Sequence, residues 1–378
     1  MKMKAAVLYE QGLVRPYATS KPLVIEEVSL DGPGDGEVLV QIAAAGLCHS
    51  DLSSISGVRT RRTPTVPGHE AAGVVLEAGR GVQRVKAGDH VVAVFVASCG
   101  RCRHCANGRV NLCEVSWKSR ANGSLLSGER RLRLEGRELN HYSGLSTYAQ
   151  FAVVSEKSLI GIDKTVPLHV AALFGCAVVT GVGAVVNTAK VRPGQSAAVV
   201  GLGGVGLNCL LGLVASGAYP IFAVDLNPDK LALAKALGAT HCLLASEPRD
   251  VAELRELSSG GVDFAFEMAG SAAAMTLAYE VTCRGGTTVS AGLPDSDKVI
   301  TCPHAALVSD ERTIRGSYMG SCTPDRDIPR FIAMYLAGRL PVDRLHSGNV
   351  RFEELNHAFD LLADGETVRQ TLAPNDPA

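Results

Sequence analysis

Ala197-Ala198-Val199-Val200-Gly201-Leu202-Gly203-Gly204-Val205-Gly206 decides how this chain folds. The four apolar residues at its start read as a buried strand, and the apolar run from Val205 to Ser216 reads as a helix. Between them, glycines at 201, 203 and 206 supply the G-x-G-x-x-G spacing, which carries weight only in such a strand–turn–helix setting. Glycine lets the backbone turn tightly and lets a pyrophosphate reach the helix N-terminus, where free N–H groups and the helix dipole favour negative charge. Gly204 and Val205 lie in the same turn, so residues 201 and 203–206 form the candidate phosphate cradle. A second apolar strand, Ile221–Val224, ends at Asp225, nineteen residues after Gly206. A carboxylate there accepts hydrogen bonds from both ribose hydroxyls and repels a 2′-phosphate, so NAD is expected rather than NADP. Asn227 follows, with no arginine beside Asp225 to hold a phosphate.

Strands and helices continue to alternate downstream. Pro228–Leu237, Asp250–Leu257 and Ala272–Thr282 read as helices, and Cys242–Leu244, Val262–Phe266 and Thr287–Ala291 as strands. Alternation on this scale predicts a parallel, doubly wound Rossmann sheet, an α/β fold. Upstream, an apolar helical run from Val170 to Ala189 precedes Arg192-Pro193-Gly194. The first 155 residues carry strand-like runs punctuated by glycine: Lys4–Leu8, Leu23–Ser29, Glu37–Ala45, Ala71–Leu76, His90–Val96 and Tyr148–Val154. The polar stretch from Cys113 to Ser146 reads as loop with a short hairpin. Beyond Arg315 the pattern is mixed, with helices near Pro329–Leu336 and Glu353–Ala363. A chain of 378 residues has room for two domains. The expected layout is a nucleotide-binding domain, 179–318, inserted in a β-rich domain made of 1–178 and 319–378.

Lys+Arg 37 against Asp+Glu 38 leaves a net charge of −1, so no global field draws in nucleic acid or an anionic membrane. From Ser196 to Val224 no residue is charged, a length that could span a bilayer. Glycines 201, 203, 204 and 206 and Pro220 interrupt it, and strand, turn, helix and strand explain it better. The apolar run at the N-terminus is too short for a signal peptide, and a cytoplasmic location is expected.

Eleven cysteines without a secretory signal point to metal rather than to disulfides. Cys99, Cys102, Cys105 and Cys113 crowd into one loop, at a spacing that closes a four-thiolate zinc shell with no open position. Cys209, Cys242, Cys283, Cys302 and Cys322 read as small core residues. Cys48, His69 and Cys176 are too far apart in sequence to be paired by spacing, and each alone reads as a core residue.

Their neighbours change that reading. Cys48-His49-Ser50-Asp51 and Gly68-His69-Glu70-Ala71-Ala72-Gly73, with Gly79, Val82, the four-cysteine loop and Thr367-Val368-Arg369, resemble the zinc-containing medium-chain alcohol dehydrogenases along essentially the whole chain. The resemblance implies a GroES-like, β-rich catalytic domain beside the Rossmann domain. It implies two zinc ions per chain, one catalytic on Cys48, His69 and Cys176, the other structural on the four clustered cysteines. Asp51 is then the carboxylate that orients the ligating imidazole, and Glu70 a carboxylate behind the metal. Thr180 lies beside the nicotinamide, His49 reaches the cofactor phosphates, Asp225 and Lys230 meet the adenosine ribose, and Arg369 meets the pyrophosphate. Ala291, Leu293, Ser317 and Met319 are implied as further cofactor contacts. Zinc with an open position acidifies a bound hydroxyl. The Ser50 hydroxyl would take that proton, and hydride would pass to C4 of the nicotinamide. Liver-type members continue the relay with a histidine three residues after the relay hydroxyl; Ser53 stands there in this chain, so His49 or water is expected to serve.

The length of the Cys113–Ser146 segment resembles the liver-type long form, which implies a homodimer, with a tetramer as the alternative. The expected partner is a small alcohol or aldehyde: a primary alcohol, aromatic or an ω-hydroxy acid. Formaldehyde adducts of thiols are the alternative within the family. That branch has acidic residues shortly after the first zinc cysteine, where Arg59, Arg61 and Arg62 stand here. A zinc-free quinone reductase or crystallin-like relative would lack the seven ligands, and a nucleic-acid-binding zinc ribbon would not explain the glycine turn.

Overall fold

A computed structural model of the chain describes residues 1–245 and 249–375, in two compact units. The first comprises Met1–Cys176, Thr323–Pro329 and the stretch from Asp343; the second comprises Ala177–Cys322 and Arg330–Val342.

The second unit is built on six parallel strands. Their spatial order is His241–Leu244, Ile221–Asp225, Ala197–Val200, Val262–Glu267, Thr282–Ser290 and Thr313–Gly316. In sequence order this is 3-2-1-4-5-6, the doubly wound arrangement, whose crevice opens at the carboxyl ends where the order reverses. The central strands are apolar on both faces because helices cover both; Ala198, Val200, Phe222, Val224 and Ala265 share one buried cluster. The charge-free stretch resolves into strand Ala197–Val200, helix Gly204–Ala215 and strand Ile221–Asp225. Among the described residues no single helix is long and apolar enough to cross a membrane.

The first unit carries two largely antiparallel sheets. One orders Leu159–Ile162, His90–Val94, Glu70–Ala78, Glu37–Gly46, Arg369–Leu372 and His346–Val350, with Phe151–Ser155 also paired to Glu37–Gly46. The other contains Lys2–Leu8 and Leu23–Leu30, paired residue for residue from Lys2↔Ser29 to Leu8↔Leu23. Alternation buries one face of each strand: Val38, Val40 and Ile42 enter the same core as Val75, Val91 and Phe359.

Three expectations need correction. The helical run Val170–Ala189 is not one helix: Leu168–Ala172 and a 3-10 turn Leu173–Gly175 end at Cys176, and Ala177–Gly183 resumes into a π-helical segment, Ala184–Ala189. Cys176 leaves helical geometry at φ −144, ψ −67, because its thiol is turned toward other donors. The stretch after Cys113 contains a helix, Glu114–Ala121, in addition to the hairpin Leu132–Leu134/Arg137–Glu138. Of the five cysteines read as core, Cys209 and Cys322 are buried, whereas Cys242, Cys283 and Cys302 are only partly so.

Candidate active site

The geometry around His69 begins with glycines. Gly46 ends the strand Glu37–Gly46, and a Cβ there would overlap the Glu70 carboxylate, so only glycine leaves room for that side chain. Gly68, at φ +94, turns the chain into His69 where a Cβ would meet Thr147 and Tyr148. Gly175 presses against the Ala93 carbonyl, bringing Cys176 to the same place. Cys48 arrives from the end of an extended segment, capping the short helix His49–Ile55.

Donor atoms of Cys48, His69, Glu70 and Cys176 thereby lie within 4.8 Å of one another, all buried. His69 Nδ1 lies 2.9 Å from Asp51 Oδ1. An ionised carboxylate only accepts, so Nδ1 carries the hydrogen, and in the neutral ring that metal ligation requires Nε2 presents a lone pair. That Nε2 is buried without a hydrogen-bond partner. The Tyr148 hydroxyl donates to Asp51 Oδ2 at 2.9 Å, with the Gly46 carbonyl 3.0 Å away. Asp51 is therefore held on both oxygens.

The charge balance of this pocket suits a cation. Burial works against an imidazolium at His69, yet Asp51 and the two thiol groups outweigh it and raise its pKa well above the usual value. The Cys176 S–H stabilises a Cys48 thiolate, so the Cys48 pKa falls and that of Cys176 rises. Burial lifts Glu70 to about 7, with Arg369 opposing it. An orphaned imidazole nitrogen facing two thiols is what a divalent zinc would satisfy, and with Glu70 held on Arg369 these three donors leave a fourth position open. Arg369, itself 3% exposed, donates from Nη1 to Glu70 Oε1 at 2.8 Å and to the Leu47 carbonyl at 3.0 Å. It sits behind the cluster, on the strand paired to Gly46.

Cys99, Cys102, Cys105 and Cys113 form the second cluster, their sulfurs also within 4.8 Å of one another. A zinc tetrahedron with bonds of ~2.3 Å has edges of ~3.8 Å, which this set meets with little adjustment. Backbone N–H groups already point at the sulfurs, from Cys99 to Cys113 at 3.3 Å and from Cys102 to Cys99 at 3.4 Å. N–H groups of Cys105 and Glu114 lower Cys102 to about 6, while burial pushes Cys105 up to about 12.

Ser50 and His49 occupy the first turn of the helix His49–Ile55; His49 is exposed and Ser50 partly so. In the second unit, Thr180 lies in helix Ala177–Gly183. Gly201 has φ +91, and Gly203 caps the helix that includes Gly204, Val205 and Gly206. Asp225 ends its strand with Oδ2 accepting from the Leu202 N–H at 2.6 Å and Oδ1 from the Asn227 N–H at 2.9 Å, which fixes the carboxylate beside the glycine turn. Lys230 is in the first turns of helix Pro228–Ala236, and half-exposed Leu293 and partly buried Ala291 follow the strand Thr282–Ser290. Ser317 is buried, bonded to Thr188, and Met319 is 2% exposed in a 3-10 turn.

Residues that spacing did not single out complete the surroundings of His69: Gly46, Tyr148, Phe95 edge-on at 5.5 Å and Tyr142 at 6.1 Å between ring centres. The Tyr142 hydroxyl donates to the Ser50 carbonyl at 3.0 Å.

A doubly wound nucleotide sheet, joined in one chain to a buried Cys2His cluster and a four-cysteine loop, defines an oxidoreductase of the zinc-binding dehydrogenase type. Residues 34–164 match the family described as alcohol dehydrogenase GroES-like domain, and residues 204–337 that described as zinc-binding dehydrogenase. Among solved structures, an alcohol dehydrogenase zinc-binding domain protein from Burkholderia ambifaria is 34% identical with a TM-score of 0.93, covering 100% of both chains. Benzyl alcohol dehydrogenase from Acinetobacter calcoaceticus is 30% identical with a TM-score of 0.92, covering 99% of each. A zinc-binding dehydrogenase fold from Sinorhizobium meliloti 1021, solved with NADP, is 24% identical with a TM-score of 0.80, covering 99% of this chain and 100% of that one. The chain belongs to the zinc-containing medium-chain alcohol dehydrogenase family.

Proposed function

We propose that this protein carries out reversible, NAD-linked oxidation of a primary alcohol, aromatic substrates included, at a zinc held by Cys48, His69 and Cys176. The observation that carries the reading is the orphaned His69 Nε2, fixed by Asp51 and facing two buried thiols. Bound there, zinc would supply a Lewis acid that acidifies an alcohol hydroxyl or polarises a carbonyl. Asp51 holds the imidazole in the tautomer that can ligate and raises its basicity. Ser50 accepts the proton released by the substrate hydroxyl and passes it toward His49 or water. Thr180 flanks the nicotinamide, and the turn Gly201–Gly206 seats the pyrophosphate. A second zinc would be held by Cys99, Cys102, Cys105 and Cys113, where it would pin a loop.

Asp225 supports NAD over NADP, since its fixed carboxylate repels a 2′-phosphate and no arginine neighbours it. The 30% identity to benzyl alcohol dehydrogenase supports an aromatic alcohol among the substrates. The test is reduction of NAD and of NADP by the zinc-loaded enzyme across primary, secondary, aromatic and carboxylated alcohols. NAD is expected to be favoured by about a hundredfold in kcat/KM, and Asp225→Ser to narrow the gap about tenfold or more. A zinc-loaded enzyme that oxidises no alcohol with either cofactor would sink the activity; an NADP preference would sink the cofactor assignment alone.

A further inference from the structure

The two aromatic rings that meet His69 each carry an arginine. Arg61 lies over Tyr142, with its guanidinium carbon 5.6 Å from the ring centre, and Arg120 lies over Phe95 at 5.7 Å. Arg120 is anchored, its Nε donating to the Ser116 carbonyl at 3.2 Å. Arg61 is different. Its backbone N–H is tied to the Gln11 side chain at 2.9 Å, which fixes where the side chain starts. Its guanidinium has no carboxylate partner among the described residues, and Nε is buried with no acceptor at all. The side chain as a whole is only partly buried, so its Nη end remains reachable.

A partly desolvated cation without a counter-ion is costly, and most such guanidinium groups in folded proteins are paired. The ring beneath Arg61 recovers a fraction of that cost through cation–π attraction, but it neutralises nothing. The same ring lies 6.1 Å from that of His69, and its hydroxyl donates to the backbone carbonyl of Ser50. Tyr142 is itself 3% exposed, and the Arg61 guanidinium lies one buried ring away from His69, within reach of the far end of a molecule whose hydroxyl is at the Cys48–His69–Cys176 cluster.

We propose that Arg61 is a specificity-determining residue that receives a carboxylate at the distal end of the substrate, so that the preferred alcohols are hydroxy acids such as carboxylated benzyl alcohols or ω-hydroxy alkanoates. The proposal rests on the alcohol-oxidising reading above and adds a substrate class to it. A carboxylate fits because its two oxygens match the planar guanidinium fork, and the low-dielectric surroundings strengthen the pair. The second arginine, over Phe95, adds positive potential near His69.

The experiment compares kcat/KM of the zinc-loaded enzyme for 4-(hydroxymethyl)benzoate against 4-(hydroxymethyl)benzamide, and for 6-hydroxyhexanoate against 6-hydroxyhexanamide. The amides keep shape and lose charge. A carboxylate preference of about tenfold or more in at least one pair is expected, falling toward unity in Arg61→Gln and partly restored in Arg61→Lys. The preference should also shrink as salt rises. Acid and amide used equally by the unsubstituted enzyme would overturn the proposal without any variant, and so would a preference that Arg61→Gln leaves intact. Turnover of the amides distinguishes the two readings: if they are oxidised without a carboxylate preference, only the role of Arg61 fails, and if no alcohol in either pair is oxidised, the activity itself fails.

Discussion

His141 is a buried side chain whose protonation is expected to weaken the fold in acid. It lies in the two-residue strand Asn140–His141, 3% exposed, with Nε2 accepting the Arg131 N–H at 3.1 Å. Burial, then Arg130 and Arg131, lower its pKa to about 3. The unfolded chain takes up the proton near the ordinary value of ~6.5, so between these values the unfolded state binds more protons and stability falls as pH falls. At about pH 5 the loss from this one residue is ~2 kcal/mol. His141→Gln keeps an acceptor for the Arg131 N–H and removes the titration. Its melting temperature should therefore drop less than that of the unsubstituted protein between about pH 7.5 and pH 5. Parallel drops in calorimetry would show that His141 does not govern acid sensitivity. Around His69, the same scale explains what the sequence did and did not disclose. Cys48-His49-Ser50-Asp51 and Gly68-His69-Glu70 are local words that can be read. Gly46, Tyr142 and Tyr148 are ordinary residues until the sheet brings them to Asp51 and Glu70, and no spacing pairs Tyr148 with Asp51 across 97 positions.

Among elements, the glycine turn is the most sharply defined. A Cβ on Gly206 would lie 1.8 Å from the Gly201 carbonyl oxygen, so any side chain there forces the turn open. A Cβ on Gly203 would meet nothing within 4 Å, in a position at the helix N-terminus where a pyrophosphate would approach. The two glycines should therefore fail differently. Gly206→Ala is expected to lower the melting temperature and to weaken NADH binding by about tenfold or more, whereas Gly203→Ala should melt normally and still bind NADH about tenfold more weakly. Fluorescence titration with calorimetry checks this, and unaltered NADH affinity in Gly203→Ala would remove the pyrophosphate from that turn. Elements of this kind were legible because glycine, apolar strand and acidic terminus follow one another in order. The break at Cys176 was not, because Leu168–Ala189 is apolar on nearly every side and a periodicity with no polar face has no phase to lose. Helix Glu114–Ala121 was hidden for the opposite reason: it is mostly polar, with Val115 and Trp117 too few to set a helical period, and its N-cap is the Cys113 sulfur, which accepts the Ser116 N–H at 3.5 Å instead of a hydroxyl or carboxylate.

Across the whole molecule, the two cysteine clusters stand on very different ground. Cys48, His69 and Cys176 are enclosed by packed core, with exposures of 5%, 3% and 6%, so that site is shaped by the sheets whether or not metal is bound. The four-cysteine loop has no such support. From Arg101 to Val110 no residue is buried, and its regular structure amounts to one four-residue helix, Arg103–Ala106, and the start of a 3-10 turn. Ordering such a backbone costs ~1–2 kcal/mol per residue, with little apolar burial to offset it, and metal ligation is the available source of stabilisation. Removal of one ligand from each site should separate the two roles. Cys48→Ser is expected to keep about one zinc per chain, lose alcohol oxidation and resist limited proteolysis as the unsubstituted protein does. Cys105→Ser is expected to fall from about two zinc to about one and to be cut rapidly between Cys99 and Cys113, with a melting temperature lower by on the order of 10 °C. Metal analysis with mass-spectrometric mapping of the cuts decides it. If Cys105→Ser keeps its zinc, or loses it without exposing the loop to protease, then sulfur–backbone contacts alone hold that segment and the clustered cysteines are not its metal anchor.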